Sequence, residues 1–174
     1  DLFVENNTNR INYLRDAINY ISYQVDYDAN GNMIQNDLNG LQAAQYDWRN
    51  LPMIMNAGGN DIKYAYNAEG LRQRKNTAGA DVHYVRGAMG ETVAVYENNS
   101  TAFYNIFAGE EIIGQFDGQD RRYHVKDHIG SVRMTINDSH GIDGYQDYYP
   151  FGSIMPGRSY TSGNLYDNYK FTGH

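Results

Sequence analysis

Cysteine is absent from the 174 residues. Disulfides, thiolate chemistry and cysteine-based zinc sites are therefore excluded together, although the compartment stays open. Proline occurs three times and tryptophan once. No stretch approaches the ~18 consecutive apolar residues of a spanning helix, so membrane insertion by this segment is not expected. The first residues have neither the basic n-region nor the apolar h-region of a signal peptide. Basic side chains are also scarce, 14 against 21 acidic ones, for a net charge of −7 and a pI near 5.1. Nucleic-acid binding draws on lysine and arginine facing phosphate, so nucleic acid is not an expected partner, and neither is an anionic membrane surface.

What the chain has instead is 17 Tyr, 18 Gly and 20 Asn. Tyrosine favours strands, and glycine and asparagine favour tight turns with positive φ. Together they predict an all-β fold of many short strands joined by tight turns. The mean hydropathy of −0.71 is low, so the packing surface is expected to be built largely from tyrosine rings.

A repeat runs through the first half. Tyr27-Asp28-Ala29-Asn30-Gly31, Tyr46-Asp47-Trp48-Arg49-Asn50 and Tyr66-Asn67-Ala68-Glu69-Gly70 open three units whose tyrosines are 19 and 20 residues apart. Gly31, Asn50 or Gly70 follows each Tyr by four residues, and Gly40, Gly59 or Gly79 by thirteen. Each unit therefore reads as two short strands with turns needing a left-handed residue. Asp28, Asp47 or Asn67 is placed to close an Asx-turn, and each Tyr to end a strand and pack its ring over the turn. This divides the chain into a lead-in over 1–26, three repeats over 27–83, degenerate repeats and hairpins over 84–147, and a loop-rich segment over 148–174.

A fourth unit starts loosely at Tyr84, and beyond it the register blurs. Strands are predicted over 92–96, 102–107, 111–116, 121–126 and 131–137, with a hairpin turn at Asp127-His128-Ile129-Gly130. Residues 12–19 fit a helical turn or an irregular strand equally.

The Tyr-Asp-x-x-Gly units resemble the YD repeats of bacterial RHS-repeat proteins. Tyr123-His124-Val125-Lys126-Asp127-His128-Ile129-Gly130-Ser131-Val132-Arg133 is similar to the His-x-x-x-Asp-His-Leu-Gly-Ser-Val-Arg signature of the RHS-repeat-associated core domain. Tyr148-Tyr149-Pro150-Phe151-Gly152 and Tyr169-Lys170-Phe171-Thr172-Gly173-His174 resemble its following blocks. The resemblance covers roughly residues 20–174. It implies a strip of a large spiralling β-sheet, part of a hollow shell around a C-terminal toxin or effector. The implied partners are the rest of that shell and the effector, and the implied location is secreted or on the bacterial cell surface. The family's self-cleavage segment lies beyond the last block, so the chain is expected to be a piece that stops before it. Self-association through sheet edges is expected of such a piece.

Residues with chemical potential are few. His124, Asp127 and His128 form the one cluster suited to a metal or to acid–base work. His124 and His128 stand four apart, a spacing that converges on a helix but not simply on a hairpin; a hairpin turn with hydrogen-bonded histidines is the plainer account. Glu110-Glu111 and the Asp26/Asp28 pair are carboxylates of the kind a glycosidase sets across a cleft, but Asp28 is better explained as a turn former. Ser131 lacks the Gly-x-Ser-x-Gly elbow of a nucleophile. Arg72 and Arg74 share one face of a strand by period two, as a solvated face or a patch for an acidic neighbour. The tyrosines follow the repeat, as a structural ladder does, while exposed tyrosine is also what lectins use. The expectation is a non-enzymatic scaffold without cofactor or metal, the alternative being a cell-surface adhesin or carbohydrate-binding β module.

Overall fold

The computed structural model describes residues 2–4, 10–15, 18 and 20–162. Among these the chain forms sixteen strands and one short 3-10 turn. It divides into two compact units, Asp1–Tyr84 and Val85–His174. The first holds β1 (Leu2–Val4), β2 (Ile11–Arg15), β3 (Ser22–Tyr27), β4 (Met33–Asn36), β5 (Leu41–Tyr46), β6 (Pro52–Ala57), β7 (Asn60–Tyr66) and β8 (Arg72–Asn76). β9 (Asp81–Arg86) carries the chain into the second unit. There follow β10 (Thr92–Glu97), β11 (Ser100–Ala108), β12 (Glu111–Phe116), β13 (Arg121–Lys126), β14 (Val132–Asn137), β15 (Ile142–Tyr148) and β16 (Ile154–Thr161). Within each unit every strand pairs antiparallel with its sequence neighbours. The fold is thus all-β, as the tyrosine, glycine and asparagine content predicts. Of the span 12–19, undecided from sequence, residues 12–15 lie in strand β2.

The hairpin alternates two kinds of turn because one end of each strand pair is closed by a short connection and the other by a longer Asx-turn. Ala57 and Asn60 face each other across Gly58-Gly59, and Glu97 and Ser100 across Asn98-Asn99. All four intervening residues have positive φ, as the primed turns that match strand twist require. At the other ends the ladder slips by one residue just before the turn, between Asp26 and Tyr27, Gln45 and Tyr46, Ala65 and Tyr66, and Val125 and Lys126. The slip makes room for the five-residue Asx-turn that follows.

Two expectations need correction. Gly79 does not adopt a left-handed conformation. Thr77 closes that turn instead: its N–H donates to the Ala80 carbonyl at 2.8 Å, and its hydroxyl accepts the Ala80 N–H at 3.0 Å. A side chain that bonds the backbone removes the need for positive φ. The segment from Tyr148 contains the eight-residue strand β16 rather than loop alone; its Gly157 at φ 72° and Pro156 interrupt the strand without ending it. Tyr169 to His174 lie outside the described residues.

In the second unit the two sheet faces differ. One carries three cross-strand rows: Tyr104, Phe116 and Arg121; Ile106, Gly114, Tyr123, Ile136 and Ile142; and Val125, Met134, Tyr145 and Tyr160. Gly114 is glycine because a Cβ there would lie 2.3 Å from the Arg122 carbonyl oxygen. The opposite face carries the polar row Asn105, Gln115, Arg122 and Asn137. Asn105, Gln115, Thr135 and Gln146 are buried there, beside Val95, Phe103, Val132 and Tyr148. In the first unit the buried apolar residues are Val25 and Leu41. Buried apolar side chains are few among the described residues, so hydrogen bonds at the turns and across the polar row matter correspondingly more.

Candidate functional site

The chemistry-bearing residues sit at the turns, and one turn recurs. Asp28 donates its N–H to the Asn32 carbonyl, accepts the Gly31 N–H on its own carbonyl, and takes the N–H groups of Asn30 and Asn32 on Oδ1 at 2.9 and 2.8 Å. Asp47 repeats this with Arg49 and Leu51 at 2.8 and 3.0 Å and Asn50 as the fourth residue. Asn67 takes the Leu71 N–H on Oδ1 at 2.8 Å, with Gly70 fourth. In the second unit Asp127 takes Ile129 and Ser131 at 3.1 and 3.0 Å, with Gly130 fourth. Asn137 takes Ser139 and Gly141 in the same way, with His140 fourth. The fourth residue is left-handed every time: Gly31 (88°), Asn50 (62°), Gly70 (82°), Gly130 (84°) and His140 (62°). Glycine and asparagine hold four of the five positions because they adopt it at little cost, and His140 holds the fifth.

Two variants keep the backbone and lose the Asx side chain. At Gly87 the amide still bonds Glu91, but a Cβ at Gly87 would sit 2.0 Å from Glu91 Oε1. The Glu91 carboxylate occupies the space the missing side chain leaves and takes the Met89 N–H at 3.0 Å. Tyr149 opens the other, whose backbone bonds to Ser153 and from Gly152 are retained. There Phe151 and Gly152 both have positive φ, 74° and 91°, and Phe151, next to Pro150, is almost fully exposed.

The tyrosines before these turns do end strands, but their rings reach the turn of the preceding repeat and not their own. The Tyr46 hydroxyl donates to the Met33 carbonyl at 2.7 Å and that of Tyr66 to the Pro52 carbonyl at 2.9 Å. In the second unit Tyr148 donates to the Val132 carbonyl at 3.0 Å, and Lys126 Nζ to the Ile112 carbonyl at 2.5 Å. Each bond ties the end of one strand to the start of the previous one. Burial, then the nearby Asp28 carboxylate, pushes the Tyr46 hydroxyl up. Over Tyr27 lies the Arg10 guanidinium, 5.7 Å from the ring centre.

The stretch from His124 to Arg133 is a clasp around one such turn. Asp127 spends one carboxylate oxygen on two amides and the other on Arg133 Nε at 2.8 Å. Its carboxyl is held below the usual range: burial pushes it up, but Arg133 and the Ser131 and Ile129 amides outweigh that. Arg133 also reaches Asp147 at 3.2 Å, which Arg158 engages at 2.7 Å. Ser131 and Val132 are wholly buried. His124 lies on β13 opposite Thr135, with its ring nitrogens inside the protein. Burial, helped by Lys126, lowers its pKa from 6.5 to about 4. The Asp127-to-Gly130 spacing is the same as Asp28-to-Gly31. That shared offset identifies the motif as the repeat turn, a link the motif's own wording hides.

This geometry decides what the candidates can do chemically. Asp127 has no oxygen to offer a metal without giving up its turn or Arg133, and His128 stands on the exposed tip while His124 is inside. No group of three or more metal-ligating side chains gathers among the described residues. Ser131 is beyond a substrate's reach. Asp26 accepts from Gln24 Nε2 at 2.7 Å, and Glu111 pairs with Lys126 at 3.2 Å. Arg74 grips Asp81 through two bonds of 2.7 and 2.8 Å, and Arg72 lies over the Tyr64 ring at 4.6 Å, so the basic pair is committed to its neighbours. A depression of about 720 Å³ in the first unit is bordered by Arg10, Tyr13, Arg15, Gln24, Asp26 and Asp37. Its Asp37 carboxylate is taken by the Gln24 amide and the Gln35 side chain. A network missed from sequence joins Arg122 to Asp117 at 2.5 Å and to Asp143 at 3.0 Å. Its one sequence signal is the strand alternation that puts Arg122 on the polar face.

No family model matches the chain, and neither does any curated protein. Solved structures do. One is a chain of TcdB2-TccC3 without its hypervariable C-terminal region, with a TM-score of 0.52 and 13 % identity over 92 % of this chain. Another belongs to the Tc holotoxin pore of Photorhabdus luminescens, with a TM-score of 0.50 and 13 % identity over 87 % of this chain. This chain spans about a tenth of the length of each, 10 % in both cases. At that identity the likeness is one of fold: the hairpin strip built here also occurs within large Tc toxin chains.

Proposed function

We propose that the chain is a non-enzymatic scaffold, a strip of an RHS-repeat shell that encloses or delivers a C-terminal effector outside the producing cell. The observation that carries this is the recurring turn. Asp28, Asp47, Asn67, Asp127 and Asn137 are spent on backbone amides, and the tyrosine hydroxyls link one repeat to the next. Residues committed to holding hairpins together are what an extendable wall needs, since each repeat is stabilised chiefly by its neighbours. The His124–Arg133 motif, where a catalytic role was conceivable, is built as one more such joint. The fold likeness to Tc toxin chains supports the same conclusion. Its partners on this proposal are further repeats of the same shell and the effector within.

The test uses the natural reading frame around this sequence. It should encode further repeats and a downstream effector that resists protease until the shell is denatured. A frame without further repeats, or an effector digested equally fast in the native protein, overturns the proposal.

A further inference from the structure

The aromatic face of the second unit is not covered by any other part of that unit, and its chemistry is not that of a solvated surface. Tyr104, Tyr123, Val125, Ile142, Tyr145 and Tyr160 lie in the three rows of that face and are between 37 and 52 % exposed. Soluble proteins rarely leave apolar patches of more than a few hundred Å² open unless something binds there. Charge is confined to the two ends. Arg121 faces Asp138 at 3.7 Å at one, and Asp147 is held by Arg133 and Arg158 at the other. An apolar centre with a polar, ion-paired margin is the anatomy of a protein interface.

We infer that this face is where two copies of the chain pack against each other, sheet on sheet. Size and charge both favour a second copy. The rows cross six strands at ~4.8 Å spacing and run about six residues along them at ~3.3 Å each, a footprint on the order of 600 Å² in projection. Side-chain relief raises the accessible area toward the roughly 800 Å² per partner of a standard stable interface. The chain carries a net charge of −7, so two copies repel over most of their surfaces. On this face the rows contain one charged side chain, Arg121, already paired, so face-to-face packing brings no like charges into contact. Aligned sheet packing is also the ordinary way for two apolar sheet faces to bury each other. This association is distinct from pairing along the edge of β16, and it does not depend on the proposed shell function.

Sedimentation velocity on the full chain from micromolar to submillimolar concentration tests it. The expected result is a concentration-dependent species of twice the 19.8 kDa chain mass. Tyr145→Arg and Val125→Glu, both at exposed positions, should weaken it at least tenfold with unchanged circular dichroism. Because the chain has no cysteine, Val125→Cys also gives a single spin-label site, and a short intermolecular distance should appear only when the dimer forms. A monomer at every concentration overturns the inference. So does a dimer that survives both face variants, since that association does not use this face. A label at Val125 that detects no second copy within the dimer overturns it too.

Discussion

Replacing His124 by Gln should remove most of the acid sensitivity of the second unit. The ring nitrogens of His124 are inside the protein and Lys126 stands two residues along the same strand, so the charged ring is disfavoured and the pKa falls from 6.5 to about 4. The unfolded chain therefore binds a proton that the folded one resists. Stability is whole above pH 6.5 and is lost as the pH falls through the interval from 6.5 to 4. A shift of that size corresponds to roughly 3 kcal/mol in full, and about 2 kcal/mol of it is already lost at pH 5. The depressed carboxylates, Asp117 at about 2 and Asp127 below its ordinary value, act in the opposite window. Their contribution is present above the ordinary aspartate pKa of ~3.9 and disappears below it, so measurements between pH 7 and 5 isolate the histidine. Urea unfolding followed by circular dichroism should give a wild-type stability that falls by about 2 kcal/mol over that range. In His124→Gln the fall should be a small fraction of this, and an NMR titration should place the His124 ring near pH 4. An unchanged slope in the variant, or a His124 ring that titrates near 6.5, would contradict the burial of its charge.

Asp127→Ala should lower the Tm by a few degrees, because two amides and Arg133 lose their acceptor. Asp127→Asn should recover most of the loss, since Asn67 and Asn137 close the same turn; equal Tm values for the two variants would contradict the turn assignment. Gly114→Ala should destabilise by roughly 1–3 kcal/mol in a thermal melt, as overpacking against the Arg122 carbonyl requires; a neutral result would mean that the strands separate easily there. Gly70→Ala, at φ 82°, should cost on the order of 1 kcal/mol. Gly79→Ala, with ordinary φ and nothing within 4 Å of the new Cβ, should be neutral in the same assay.

Much of the fold was legible because its information is local. Tyr before Asx, with Gly or Asn three residues after the Asx, specifies a strand end and a turn within five residues, and no distant contact is needed to read it. For the same reason the strand limits over 92–137 were found to within a residue or two. Gly79 misled because spacing alone does not distinguish a residue that must be left-handed from one beside a Thr77 hydroxyl that does the bonding. Glu91 went unseen because its carboxylate substitutes for a side chain four residues away, through space and not through the pattern. β16 was hidden by Pro156 and Gly157, which end strands more often than they interrupt them.

The all-β class, the repeat and the Asx-turns at Asp28, Asp47 and Asn67 follow from residue order alone, because backbone conformational preference acts over a few residues. Residue order also marked His124, Asp127 and Arg133 as a unit without saying what the unit does. Strand pairing supplies that answer. Antiparallel pairing brings Arg133 onto Asp127 and Asp147 from a neighbouring strand, puts the His124 ring inside opposite Thr135, and turns the tyrosine hydroxyls onto the preceding repeat. The register of the ladder also separated the polar row from the aromatic rows. Which face a side chain occupies changes with a single-residue slip, and the slips occur at turns whose hydrogen bonds span several residues, so the face is settled only once the strands have paired.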